Sequence, residues 1–401
     1  MLSRRALLQL AATTPVLGHL AAYFGLTNVA ASPLARDYFK ELGLRPFINA
    51  AGTFTMLTAS QMPDEVTQAI RYASTRYVRL DDIQDAVGAR IATLLRCEAA
   101  TVTAGAASAL TLGTAGVLTG LDEKKAAQLP DVTGMKSEVI LQRAHFVGYV
   151  HAIRNCGMSM VYVDTAAELE AAISDRTALL LFINALNEEG QVKDAEFVAI
   201  GKRHGIPTFN DCAADVPPVE NLWKYTEMGF DLVAFSGGKG IRGPQSAGLL
   251  LGRKDLIAAA RLSAPPRGDT VGRGMKVNKE EILAMLVALE LYLEKDHDRE
   301  RRLWERQVEL IAGRARSVPG VETEIHVPPI ANHVPSLRVW WDAARVRITP
   351  QAVREALRAG DPSIEMMGND ERLDITTWMM RPGEEKIVAR RLETVLRAAT
   401  T

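Results

Sequence analysis

The sequence predicts a two-part α/β protein, a large domain built on a sheet of βα repeats followed by a smaller α+β domain. Three observations lead there. From about residue 99 to 252, short apolar runs alternate with amphipathic segments, the pattern of a largely parallel sheet with helices between its strands. Beyond Lys276 a long helical pattern gives way to a mixture of strand-like and helical segments. The 401 residues, 47% of them hydrophobic, suffice for one large core or two unequal ones.

In order along the chain, strands are expected at 99–104, 138–142, 159–164, 178–184, 207–211, 232–235 and 247–251, with helices at 106–118, 146–155, 166–173 and 195–204. The second part reads as one long helix from 279 to about 317, strands at 322–327, 337–342 and 373–379, and helices at 350–358 and 384–398. The implied divisions are a leader over 1–31, an N-terminal arm over 32–60, a large domain over 61–277 and a small domain over 278–401. The arm is expected to pack against the small domain or a neighbouring subunit.

The first thirty or so residues stand apart. Ser3-Arg4-Arg5 precedes an apolar stretch, 6–26, without an acidic residue, and Val29-Ala30-Ala31 offers small side chains for cleavage. This is the pattern of a twin-arginine export signal, although the usual aromatic after the arginine pair is missing. A periplasmic or exported protein, with no stable membrane span after cleavage, is the expectation; an uncleaved anchor or a mis-chosen start, and with it a cytoplasmic location, is the alternative. Lysine plus arginine number 47 against 48 aspartate plus glutamate, so nucleic acid is not an expected partner. Cys97, Cys156 and Cys212 are too far apart for a disulfide framework or a zinc pattern and read as reduced and structural; no metal is expected.

Ligands of open α/β sheets gather beyond the carboxyl ends of the strands, and four groups fall there. The first is Ser236-Gly237-Gly238-Lys239-Gly240. Glycines on both sides admit a ligand close to the backbone, Ser236 can accept part of a phosphate load, and the Lys239 amine can form a Schiff base with an aldehyde cofactor. A phosphate-binding lysine of a nucleotide loop is the other reading, but the spacing is not that of a P-loop and no hydroxyl follows the lysine. The second is Asp211, which ends an apolar strand. Pyridoxal 5'-phosphate (PLP) needs a carboxylate beside its ring nitrogen to serve as an electron sink, whereas an aspartate after a strand also commonly caps a turn. The third is Gly105-Ala106-Ala107, where a strand passes into a helix through small residues and backbone N–H groups can cradle a phosphate. The fourth is His145, expected at the start of a helix, where an imidazole can stack on the ring and assist proton transfer.

Together these residues resemble the L-seryl-tRNA(Sec) selenium transferase-like branch of fold-type-I PLP enzymes, which includes D-glucosaminate-6-phosphate ammonia-lyase-like proteins. The resemblance runs over nearly the whole chain after the leader. It is carried by Leu42-Gly43-Leu44-Arg45-Pro46 with Ile48-Asn49-Ala50-Ala51-Gly52-Thr53, the Gly105 turn, the Asp211 strand, Phe235-Ser236-Gly237-Gly238-Lys239 with Gly243-Pro244-Gln245, Gly272-Arg273 with Met275-Lys276-Val277, and Arg381-Pro382-Gly383-Glu384-Glu385. It implies an aspartate-aminotransferase-like fold, PLP on Lys239, Asp211 at the pyridine nitrogen, Gly105 to Ala107 and Ser236 at the phosphate, and His145 at the ring-stacking position. Asn210 and Cys212 beside the acid, and Arg242 in the lysine loop, depart from the usual pattern and put the substrate in question.

The function expected is α,β-elimination on an amino acid or amino sugar acid to give a 2-oxo acid, with Lys239 carrying the α-proton and Arg381 holding the substrate carboxylate. Arg381 pairing with Glu384 or Glu385 is the alternative. Selenium-transferase-type β-replacement on seryl-tRNA, a racemase or aldolase, and a non-catalytic PLP-fold protein are the other readings; the balanced charge and the leader argue against the tRNA substrate. A homodimer or higher homo-oligomer is expected, with Thr270, Arg273 and Lys276 as residues a neighbour can supply, unless they form an ordinary solvated loop.

Overall fold

The computed structural model describes residues 36–400, and the leader expected over 1–31 lies outside the described residues. By its contacts the described chain divides into two units, 36–47 with 361–363 and 48–360 with 364–400. The first holds a single-turn helix, Tyr38–Glu41, capped by the Asp37 carboxylate, which accepts from the Lys40 N–H at 3.1 Å. The second holds the two larger sheets and the remaining helices.

Its main sheet has seven strands, β1 (Ala99–Thr103), β2 (Glu138–Gln142), β3 (Ser159–Val163), β4 (Thr177–Ile183), β5 (Thr208–Asp211), β6 (Leu232–Ser236) and β7 (Gly248–Gly252). Their order is β3-β2-β4-β5-β6-β7-β1, and only β7 runs antiparallel to its neighbours, β6 and β1. This is the fold-type-I arrangement. β4, Thr-Ala-Leu-Leu-Leu-Phe-Ile, is buried at every position because helices cover both faces, and so its sequence is a continuous apolar run.

Successive residues of each strand face opposite cores. Ile140, Leu180, Phe182, Val233 and Phe235 meet helices α1 (Asp64–Ser74), α2 (Leu80–Leu94), α4 (Asp194–His204) and α6 (Lys279–Glu294). Leu141, Leu179, Leu181, Phe209 and Leu232 meet α3 (Gly105–Thr119) and α5 (Lys254–Leu262) on the other side. α3 is small and apolar all round, which lets it sink between layers: a Cβ on Gly113 would stand 2.5 Å from the Phe209 ring, and one on Gly116 2.6 Å from the Ala260 nitrogen.

The single helix expected from 279 to about 317 is two. Asp296 accepts from the Arg299 N–H at 2.8 Å and starts a new helix, α7 (His297–Arg316). α6 buries Ile282, Met285 and Leu289 in the large core, while α7 buries Val308, Ile311 and Ala315 in a third core. That core lies against a four-stranded antiparallel sheet of β8 (Val321–His326), β9 (Ser336–Trp341), β10 (Met367–Gly368) and β11 (Leu373–Thr376), ordered β10-β11-β9-β8, with helices α8 (Pro350–Ala359) and α9 (Glu384–Ala398). The helix expected at 146–155 is replaced by two tight turns, Arg143–His145 and Gly148–Val150, and the short helix His151–Arg154.

The glycines give a stability test in which two effects compete. Replacing a helical glycine by alanine gains about 1 kcal/mol of helix propensity. At Gly88 in α2 the new Cβ would lie 2.3 Å from the Ala100 carbonyl oxygen, so overpacking of about 1–3 kcal/mol or more wins and the melting temperature falls. At the exposed Gly313 of α7 nothing lies within 4 Å, and Gly313→Ala raises it. Calorimetry of the two variants checks the opposite signs.

Candidate active site

The carboxyl ends of the central strands bring together residues far apart in sequence. Gly248, at the start of β7, pairs with Thr103 on one side and Ser236 on the other. A Cβ on Gly248 would meet the Gly105 carbonyl carbon at 2.5 Å and the Ala106 nitrogen at 2.8 Å, so the α3 turn lies directly against this edge. Gly105 itself has φ +82°, a conformation that favours glycine. The first turn of α3 and Ser236 therefore flank one place, where the Ser108 hydroxyl is buried without a partner among the described residues. Asp211 pairs with Ala234 one strand further along.

Lys239 follows in a tight loop. Gly237 N–H donates to the Ala247 carbonyl at 2.9 Å, Gly243 N–H to the Gly237 carbonyl at 2.8 Å, and Arg242 N–H to the Lys239 carbonyl at 3.0 Å. A Cβ on Gly238 would come within 2.4 Å of the Gln245 backbone, which is why glycine precedes the lysine. The Lys239 side chain is half-buried. Burial lowers its pKa, while Asp211 and Asp215 act in the opposite direction. Asp211 is buried and accepts from the Ala213 N–H at 3.0 Å; burial nevertheless raises its pKa, against the pull of that N–H and of Lys239.

Asp215 was not singled out from the sequence. It is 1% exposed, and neither carboxylate oxygen meets a donor at hydrogen-bonding distance among the described residues. Burial pushes its pKa up to about 7, Asp211 adding to the shift while Asn184 and Lys239 oppose it. Asn184 spends its amide on the Tyr225 hydroxyl, at 2.7 Å. A second aspartate four positions after the first, ahead of Val216-Pro217-Pro218, is the only trace of this residue in the sequence.

Lys239 lines a cavity of about 490 Å³. One wall is the Ala51 to Thr55 turn, held by the Asn49 carboxamide, which accepts from the Ala51 and Gly52 N–H groups at 3.0 and 2.9 Å. The opposite wall is the four-stranded sheet, through Ser336, Arg338, Asp374 and Thr376. Tyr149, an exposed aromatic, borders this cavity and also a second pocket of about 430 Å³ beside Ala107 and Ser108. The sequence did not mark it because its neighbours suggested a helix.

Two expected residues stand elsewhere. His145 is fully buried in a tight turn, outside the walls of either pocket; its Nδ1 accepts from the Ile183 N–H at 3.2 Å and its ring meets the edge of Phe182 at 4.5 Å. Burial lowers its pKa to about 4 and keeps it neutral. Arg381 is exposed and off the cavity wall, with its Nε donating to Gln61 at 2.9 Å and its backbone N–H to Glu384 at 2.8 Å. The strand expected to carry it ends at Thr376, because Trp378 turns away to pack on Trp304 and Val334. Thr270, Arg273 and Lys276 lie in a loop whose Gly274 and Met275 line the second pocket; Arg273 and Lys276 are exposed and Thr270 donates to the Ser263 carbonyl at 2.9 Å.

A glycine-backed lysine at a sheet edge, a buried carboxylate behind it and a small-residue helix start beside it fit PLP, and with this strand order they define a fold-type-I PLP enzyme. The profile of the L-seryl-tRNA selenium transferase family matches residues 47–318, and the chain belongs to that family. It is 29% identical over 339 residues to a D-glucosaminate-6-phosphate ammonia lyase of Salmonella typhimurium, covering 82% of this chain and 88% of that one. It is also 29% identical over 376 residues to a Streptomyces 5'-C-glycyluridine monooxygenase-decarboxylase (89% and 92%), and 27% over 335 residues to Escherichia coli L-seryl-tRNA(Sec) selenium transferase (73% and 68%). The solved structure of a D-glucosaminate-6-phosphate ammonia-lyase superposes with a TM-score of 0.80 at 26% identity, over 91% of this chain and 99% of that one.

Asp215 gives the cofactor-free protein a signed pH dependence. Its ordinary value is 3.8 and its folded value about 7, so between these the folded chain binds more protons than the unfolded one. Stability from this group is fully present at low pH and is lost as pH rises from about 4 through about 7. Urea unfolding at pH 5 and pH 7 should show a smaller loss for Asp215→Asn than for the parent; equal losses would remove Asp215 as the source.

Proposed function

We propose that the protein is a PLP-dependent lyase that catalyses α,β-elimination on an amino acid or amino sugar acid, releasing ammonia and a 2-oxo acid. The observation that carries this is the Lys239 amine, set between the buried Asp211 and Asp215 carboxylates and the open cavity. The similarity to an ammonia lyase over most of both chains supports it.

The first turn of α3, Gly105 to Ala107, and Ser236 would hold the phosphate through N–H groups and a hydroxyl. Asp211 would hold a positive ring nitrogen, its own charge favoured by the Ala213 N–H. Bound there, PLP supplies an electron sink for the carbanion left when the α-proton is removed. The Lys239 Nζ, whose pKa burial lowers, would take that proton. Loss of the β-substituent and hydrolysis would then give the 2-oxo acid and ammonia. Tyr149, which borders both pockets, would cover the ring in place of the buried His145. Thr270, Arg273 and Lys276 are residues a second copy would bring to the pocket beside Ala107. Export of the folded, cofactor-loaded protein through the leader completes the reading.

Borohydride reduction followed by digestion should place the cofactor on the Lys239 peptide, and Lys239→Ala should lose that label together with about 10²–10⁴-fold or more of turnover. Asp211→Ala should weaken PLP binding and remove most activity. A panel of D- and L-amino acids and amino sugar acids, scored by 2-oxo acid release, tests the reaction: α-proton exchange with solvent and no 2-oxo acid from any substrate would replace the lyase by a racemase.

A further inference from the structure

Asp215 lines neither of the two pockets, yet its place is closely fixed. Its N–H donates to the Cys212 carbonyl at 3.1 Å, its own carbonyl accepts from the Asn221 amide at 2.7 Å, and the Ala214 carbonyl before it accepts from the Asn332 N–H at 2.8 Å. The chain just beyond lies against the lysine loop, where a Cβ on Gly240 would stand 2.1 Å from the Val216 carbonyl oxygen. The backbone is tied down, while neither carboxylate oxygen has a donor at hydrogen-bonding distance among the described residues.

A buried carboxylate without donors is costly to ionise unless a cation acts on it. The titratable groups around Asp215 are Asp211 at the end of β5, Cys212 next to it, Tyr225 in the helix Asn221–Met228, and Lys239. Burial pushes the Cys212 thiol and the Tyr225 hydroxyl up, so both are neutral near pH 7, and Asp211 adds negative charge. Lys239 is the cation of this group. Before a cofactor binds, two carboxylates therefore face one amine. Asp215, which lacks the N–H donor that Asp211 has, is the carboxylate in surplus.

Resting on the reading above, with PLP on Lys239 and its ring nitrogen at Asp211, we propose that Asp215 is a positioning residue that acts through Lys239, as the counter-charge for a proton on its Nζ. Bound cofactor changes the count of charges: the positive ring nitrogen engages Asp211, and Asp215 is left to balance Nζ. Both duties of that nitrogen call for such a partner. Joined to the cofactor, Nζ is displaced by a substrate amine more readily when it carries a proton; freed, it becomes an ammonium group when it takes the α-proton. In each case a positive charge stands where burial disfavours it, and a fixed carboxylate acting across space offsets that cost. Asp215, 1% exposed, does this without touching the substrate.

Spectrophotometric pH titration of the PLP-loaded protein tests this without any turnover, because the visible absorption of the cofactor changes as Nζ loses its proton. Ionised Asp215 favours that proton, so a neutral residue in its place lets the proton go at lower pH. Asp215→Asn and the smaller Asp215→Ser should each lower the midpoint by about one pH unit or more, and two variants of different size keep the test open if one does not fold. Tyr225→Phe, a change in the same buried cluster that removes no charge, should lower stability and leave the midpoint where it is. The expected shift in a protein that releases no 2-oxo acid would sink the lyase reading and leave the counter-charge standing. A midpoint unchanged or raised in a well-folded Asp215 variant, or lowered equally by Tyr225→Phe, would overturn the counter-charge alone. Absorption that survives Lys239→Ala unaltered would remove the cofactor from Lys239 and this role with it.

Discussion

Two buried carboxylates stand behind one amine that reaches an open cavity, and much of the fold is arranged around that constraint. Taking a charge out of water costs several kcal/mol, and mutual attraction offsets this only where the geometry and the remaining hydrogen bonds are good. Here burial outweighs attraction for all three groups: Asp211 and Asp215 are pushed up and Lys239 is pushed down, each toward its neutral form. Asp211 has one N–H donor, and Asp215 has no donor at hydrogen-bonding distance among the described residues. A polar cluster so poorly satisfied by its own chain is suited to a ligand that brings a cationic nitrogen and polar oxygens.

The surroundings keep this cluster in place through bonds between distant segments. Ser60 donates to the Gly238 carbonyl at 2.6 Å and Gln245 to the Thr55 carbonyl at 3.1 Å, tying the lysine loop to the turn that forms one cavity wall. Asn332 N–H donates to the Ala214 carbonyl at 2.8 Å, joining the loop before β9 to the residues after Asp211. Arg242, at φ +59°, donates to the Trp378 carbonyl at 2.5 Å. That arginine, whose presence in the loop had put the substrate in question, thus links the loop to the end of β11.

The parts of the site that were legible in the sequence are those fixed by local rules. A buried strand reads as an apolar run, a strand end as its last apolar residue, and a helix start as a patch of small residues; Lys239, Asp211, Ser236 and Gly105 to Ala107 all follow such signals. His145 and Arg381 stand off the cavity walls because the elements expected beside them take another course. The helix expected at 146–155 breaks into tight turns that bury the imidazole against Phe182, and β11 stops early where the Trp304–Trp378 contact draws the chain aside. Asp215 left almost no trace, because what distinguishes it is an absent donor in three dimensions.

The two sides of the cavity differ in how freely they can change. Around Lys239, a Cβ on Gly237, Gly238 or Gly248 would meet other atoms at 2.2, 2.4 and 2.5 Å, so the apparatus that holds the cofactor allows little substitution without moving the backbone. On the four-stranded sheet the cavity residues alternate with core residues, and exchanging Ser336, Arg338, Asp374 or Thr376 leaves Leu337, Val339, Leu373 and Ile375 where they are. Side chains on this face can therefore change at small cost in stability, whereas those packed around Lys239 cannot.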